Sequence, residues 1–160
     1  YTYLSYTLQK SAEFLLSTKM IDEIPDDLSS ILDDTYNANP QSMRAAISVL
    51  ADSHSRRKVA VLGDMFELGP FAPGLHYEVG ECLGKAKIDC LVAVGELSDY
   101  IARGARESGV PEVYRCEDKE AARTVLPKVL QPDCTVLVKA SRGMKLEDLT
   151  ACLMELTKGE

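Results

Sequence analysis

Short apolar runs alternate with helical spacings along most of this chain. Val59-Ala-Val-Leu62, Leu91-Val-Ala-Val94 and Thr135-Val-Leu-Val138 are apolar at consecutive positions, which predicts strands buried on both faces rather than strands with one wet side. Ile31-Leu32 and Val113-Tyr114 predict two shorter strands. Between these runs the apolar residues fall at i, i+3, i+4 and i+7. Met43, Ala46, Ile47 and Leu50 form one such stripe, and Val79, Cys82, Leu83 and Ala86 a second. Leu97, Tyr100, Ile101 and Ala105 predict a third helix ending near Gly109; Ala122, Val125, Leu126 and Val129 a fourth; Leu146, Leu149, Leu153 and Leu156 a closing one. Asn39 followed by Pro40 is an N-cap residue ahead of a proline suited to the first helical turn, so the first helix should begin there. Upstream, Leu4, Leu8, Ala12, Leu15 and Leu16 predict a helix within residues 1 to 20, with an acidic, Pro-containing connector from Ile21 to Asp27.

Doubly apolar strands separated by helices of this length imply an α/β fold: a doubly wound, mainly parallel sheet with helices on both faces. The chain divides into an N-terminal helix and linker, residues 1–30, and an α/β domain, residues 31–160. Ligands in such folds sit beyond the carboxyl ends of the strands, where the strand-to-helix loops gather. Neither G-x-G-x-x-G nor G-x-x-x-x-G-K-[ST] occurs, so the loops lack the usual phosphate cradles.

Composition narrows the function classes. A net charge of −7 gives no basic footprint for nucleic acid, and Arg56-Arg57-Lys58 reads as a solvated helix end. No apolar run approaches the roughly 20 residues that span a bilayer. The five cysteines stand singly, which fits reduced core thiols in a cytoplasmic protein, and two histidines make a His-rich zinc site unfavourable; no metal ligands are assigned. The first residue is Tyr1 rather than Met and no signal peptide precedes it, so a fragment of a longer protein is expected.

Three strand-to-helix loops carry the polar chemistry. The first, Asp33-Asp34-Thr35-Tyr36-Asn37-Ala38-Asn39, combines carboxylates and amides suited to sugar hydroxyls, an amide-bearing ligand or a hydrated cation, although Asp34 and Asn39 could equally serve the turn and the cap. The second runs from Gly63-Asp64 to His76; a histidine near a helix start has its charged form disfavoured by the dipole and suits a neutral hydrogen-bonding role, although Asp64 and Glu67 could equally just oppose that dipole, with His76 a packed helix residue. The third, Lys139-Ala-Ser141-Arg142-Gly-Met-Lys145, sets three cations and a hydroxyl after a buried strand, a set that suits a carboxylate or phosphate. No spacing marks a nucleophile, and no catalytic residue is assigned.

Together, Asp33-Asp-Thr-Tyr-Asn-Ala-Asn-Pro40, Val61-Leu-Gly-Asp-Met-Phe-Glu-Leu-Gly69 with His76 and Gly80, and Lys139-Ala-Ser-Arg-Gly-Met144 resemble the C-terminal, Rossmann-like domain of the Mur ligase family of peptidoglycan synthesis, in its D-Ala-D-Ala-adding branch. Ala140 stands where that family usually has Gly. The resemblance implies a domain of an ATP-dependent amide ligase whose ATP loop and Mg2+ ligands lie in a central domain not contained in these 160 residues, so that the chain alone is inactive. It implies as substrates UDP-N-acetylmuramoyl-tripeptide, whose carboxylate is phosphorylated, and D-Ala-D-Ala, whose amine then forms the amide; the partners are the central and N-terminal domains of the same chain. It places Asp34, Tyr36, Asn37 and Asn39 on the nucleotide side, and Asp64, His76, Lys139, Ser141 and Arg142 on the substrate side. Two other classes compete. One is a stand-alone α/β module that binds an anionic small molecule; the other is a magnesium-dependent hydrolase using Asp33, Asp34 and Asp64, which requires their strands to be neighbours.

Overall fold

The computed structural model describes residues 19–20 and 28–156. Six strands form one sheet: β1 (Lys19–Met20), β2 (Leu28–Asp34), β3 (Arg57–Gly63), β4 (Cys90–Val94), β5 (Glu112–Cys116) and β6 (Cys134–Lys139), in the spatial order β1-β2-β6-β3-β4-β5. Only β1 with β2 is antiparallel; the other four pairings are parallel. The expected doubly wound, mainly parallel sheet is therefore present. The helix expected over residues 1 to 20 and the connector after it lie outside the described residues, except that Lys19–Met20 form strand β1 rather than the end of a helix. The expected division at residue 30 falls within β2.

Among the described residues the α-helices are α1 (Pro40–Ala51), α2 (Ala72–Lys85), α3 (Ser98–Glu107), α4 (Lys119–Val129) and α5 (Glu147–Leu156). Successive strand residues point to opposite faces, so each doubly apolar strand feeds two cores. Leu32, Ala60, Leu62, Leu91, Ala93 and Leu137 face α1, α2 and α3, whose Met43, Ile47, Leu50, Val79, Leu83 and Ile101 complete one core. Ile31, Val59, Val61, Val92, Val136 and Val138 face α4 and α5, where Leu126, Val129, Leu149 and Leu153 complete the other. Each fully buried Leu, Ile or Val contributes about 1.5–3 kcal/mol of hydrophobic stabilisation, and the absence of a wet face is the reason these strands read as continuous apolar runs.

At the amino ends of the strands Arg57 staples the sheet: its guanidinium donates to both carboxylate oxygens of Glu112, at 3.0 and 2.9 Å, and to the Val129 carbonyl. The opposite, carboxyl ends are brought level by the parallel register, with Asp34 beside Lys139 on one side and Leu62 beside Lys139 on the other. The three polar loops all leave from this end. Ala140, fully buried, fits because Gly63 lies opposite; a Cβ on Gly63 would stand 2.7 Å from the Ala140 Cβ. The extra methyl of Ala140 is thus accommodated within the sheet-end packing.

Candidate functional site

The adjacent ends of β2 and β6 bring Asp34 and Lys139 together, although they are far apart in sequence. Lys139 Nζ donates to Asp34 Oδ2 at 2.6 Å and to the Asn37 carbonyl at 2.8 Å, and the lysine side chain is 1% exposed. A charged pair taken out of water is tolerated only when both ends are satisfied by each other and by further hydrogen bonds. Both side chains are consequently held inside the protein and do not face an open cleft.

The second and third loops are likewise joined by buried polar contacts. Asp64 accepts from the Glu96 and Leu97 N–H groups at 3.0 Å each, through separate carboxylate oxygens, while its carbonyl accepts from the Ser141 N–H. Burial pushes the Asp64 carboxyl above its usual value, and the Leu97 N–H pulls partly back. Ser141 Oγ accepts from the Phe66 N–H at 2.8 Å. His76, on α2 and fully buried, accepts from the Met65 N–H at Nε2 (3.0 Å) and meets the Ala72 carbonyl through Nδ1 (2.6 Å). A carbonyl can only accept and a backbone N–H can only donate, so the ring is neutral with its proton on Nδ1. Its pKa is lowered chiefly by burial, which outweighs the Ala72 carbonyl and the Asp64 charge. A neutral, hydrogen-bonding His76 is what these contacts describe, with desolvation the largest cause of the lowered pKa.

That arrangement fixes a pH dependence. The folded-state pKa of His76 lies below the ordinary 6.5, so the unfolded chain binds the proton more readily. Its contribution to stability is complete above pH 6.5 and is lost as pH falls from there through the lower folded-state value. Unfolding midpoints measured between about pH 5 and about pH 8 should decline on the acid side, and His76→Gln should flatten that decline.

Of the expected site residues, Tyr36, Asn37 and Arg142 are exposed. The Arg142 guanidinium stands 5.8 Å from the centre of the Tyr36 ring and 3.7 Å from Glu147, uniting the first and third loops on the surface. Asn37 Oδ1 accepts from the Ala38 N–H, and Asn39 is half-buried with its Oδ1 accepting from the Ser42 N–H at 2.8 Å in a reciprocal capping box. Asn39 is thus committed to the start of α1. Sequence reasoning passed over two aromatics: Phe66, which lies over Gly143, and Phe71, which is 72% exposed. Met65 beside Phe66 is fully buried, and an alternation inside a loop carries no periodic signal.

Asp33, Asp34 and Asp64 do not share a site, because β6 separates β2 from β3 and Asp64 is held by the β4–α3 loop. Among the described residues no group of three His, Cys, Asp or Glu side chains is arranged to hold a metal ion. All five thiols are free, with Cys90 and Cys134 pushed up by burial to about 12 and about 11, values that leave negligible thiolate for nucleophilic attack.

Residues 19–142 match the family model described as Mur ligase, glutamate ligase domain. The chain is 38% identical over 129 residues to the UDP-N-acetylmuramoyl-tripeptide--D-alanyl-D-alanine ligase of Bacillus subtilis, covering 79% of this chain and 28% of that protein. It is 42% identical over 127 residues to the enzyme of the same name from Escherichia coli, covering 78% and 27%. A crystal structure of MurF from Acinetobacter baumannii superposes with a TM-score of 0.76 at 33% identity, covering 86% of this chain and 30% of that one. The chain therefore spans less than a third of the length of these relatives. No helix among the described residues is long and apolar enough to cross a membrane.

Proposed function

The chain belongs to the Mur ligase family, and we propose that it is the C-terminal domain of an ATP-dependent ligase that adds D-Ala-D-Ala to UDP-N-acetylmuramoyl-tripeptide in the cytoplasm. The observation that carries this reading is the meeting of Tyr36 and Arg142, from two separate motifs, on an open surface at the carboxyl ends of the sheet. ATP would supply the driving force by phosphorylating the tripeptide carboxylate to an acyl phosphate, from which phosphate leaves as the amine of D-Ala-D-Ala forms the amide. This domain's part is binding, positioning and charge stabilisation. Tyr36 offers a ring face and Asn37 an exposed amide to the nucleotide, a set that fits one side of such a ligand but contains no phosphate cradle. Arg142, beside the Tyr36 ring, makes a long, partly exposed contact to Glu147 and can exchange it for the carboxylate of D-Ala-D-Ala or for a phosphate oxygen, with two N–H groups donating side by side. The reading gives the Mg2+ ligands and the ATP loop to the remainder of the enzyme, and with them the activity; the isolated chain should bind ATP weakly.

Arg142→Ala in the full-length enzyme should raise KM for D-Ala-D-Ala about tenfold, the cost of roughly one charge-assisted hydrogen bond pair. Unchanged KM and kcat would remove Arg142 from the site. Calorimetry of ATP and magnesium against the isolated chain tests the wider reading: tight binding there would favour a self-sufficient binding module over a ligase domain.

A further inference from the structure

Asp34 and Lys139, both deeply buried, have a different geometry from the exposed members of the expected ligand contacts. Asp34 ends β2, and the chain then turns outward: Thr35 is still buried, while Tyr36 and Asn37 are exposed. What holds that turn from below is the Lys139 ammonium, which grips the Asp34 carboxylate and the Asn37 main-chain carbonyl at once. The Asn37 side chain closes the same turn locally by accepting from the Ala38 N–H, and Ala38 is buried beneath it. The other oxygen of Asp34, Oδ1, is buried with no hydrogen-bond partner among the described residues. Burying a polar oxygen without a partner is costly, and the other oxygen of the same carboxylate is held by the Lys139 ammonium. The pair thus sacrifices solvation for a fixed geometry.

We infer that Asp34 and Lys139 are positioning residues: a buried clamp across the β2–β6 junction that fixes the 35–38 turn, and with it the outward aim of Tyr36 and Asn37, without touching ligand. The inference rests on the ligase reading for its kinetic consequence but not for its structural one. The clamp makes ligand affinity on the first loop depend on a residue of the third motif, 102 positions beyond the carbonyl it holds.

The test uses the full-length chain with three variants, Asp34→Asn, Lys139→Met and the double variant, together with Lys139→Arg. Each single neutral substitution removes the ion pair from one side and should lower the unfolding midpoint; the double variant removes both charges of that pair and should recover part of that loss. Despite that recovery, the amides of residues 36–38 should exchange with solvent about tenfold faster in the double variant, and kcat/KM for ATP should fall by roughly 10²-fold, the size expected when a binding group is displaced by about 1 Å. Lys139→Arg, which keeps the charge and the donors, should regain most of the kinetic loss. A double variant that is stable, with wild-type exchange and wild-type kinetics, would overturn the inference. Should the double variant not fold, the unmodified protein decides: native-state exchange in mild denaturant must show residues 36–38 opening together with β6, and independent local opening would refute the clamp. If the unmodified full-length protein has no ligase activity the functional proposal fails, whereas the exchange arms still settle the clamp.

Discussion

Gly80→Ala should lower the unfolding midpoint of this domain by roughly 10 °C, while Gly74→Ala, the same change six residues earlier in the same helix, should raise it slightly. The contrast follows from how α2 lies against α3. A Cβ placed on Gly80 would stand 2.1 Å from the Ile101 carbonyl oxygen, 2.7 Å from the Ala105 nitrogen and 3.0 Å from the Gly104 carbonyl carbon. All three atoms are backbone, so no rotamer change can relieve the overlap; the helices must separate. Gly104 faces Tyr77 in the same way, its own Cβ position lying 2.2 Å from the Tyr77 carbonyl oxygen, so the contact is close from both sides. Overpacking of this kind costs about 1–3 kcal/mol and more where the backbone cannot yield. About 3 kcal/mol in a domain of this size corresponds to the stated shift, at roughly 2–4 °C per kcal/mol. Gly74 is exposed with nothing within 4 Å of its Cβ position, so alanine there gains helix propensity of about 0.5–1 kcal/mol without a clash. Thermal unfolding of the two variants followed by circular dichroism checks both signs, and equal behaviour of the two would show that α2 and α3 do not touch as described.

What the sequence made legible was local. The strand runs at Val59–Leu62, Leu91–Val94 and Thr135–Val138 are continuous because both faces are buried, and the Asn39 cap announces itself because donor and acceptor lie three residues apart. What it could not carry was adjacency. Asp34 and Lys139 each read as a polar group at a strand's end, but their ion pair depends on β6 being inserted between β2 and β3, which no spacing of 105 residues encodes. The same insertion separates Asp34 from Asp64 and removes the arrangement of acids that a hydrolase needs. Polar residues in these loops were all legible as chemistry; which of them face solvent was not, because that is decided by neighbours from other loops. Tyr36 and Arg142 are left outside, while Lys139, Ser141 and His76 are turned inward.

Asp64→Ala should destabilise the domain by about 2–4 kcal/mol and loosen the first turn of α3 before any other helix. Local sequence gives that helix no cap: Leu97 precedes it and makes no side-chain hydrogen bond to its amides. Asp64 supplies the acceptors from a different loop, one oxygen to Glu96 and the other to Leu97. The approach is possible because Gly95, at φ +119°, has no side chain; a Cβ there would lie 2.7 Å from the Asp64 carboxylate. Truncation therefore strands two N–H groups in a part-buried site, at about 1–3 kcal/mol each when unsatisfied, with water able to recover some of the loss. Asp64→Asn should fall between, since its amide can accept from one donor but turns an N–H toward the other. Hydrogen exchange on the chain should show the Glu96 to Tyr100 amides losing protection in Asp64→Ala while the β6 amides keep theirs. Uniform loss across both would mean that Asp64 acts on the global fold rather than as the cap that α3 borrows from the loop after β3. A local loss would also explain why an acid at a strand's carboxyl end, the position where α/β folds place ligand contacts, is turned away from solvent here: its two acceptors are already occupied.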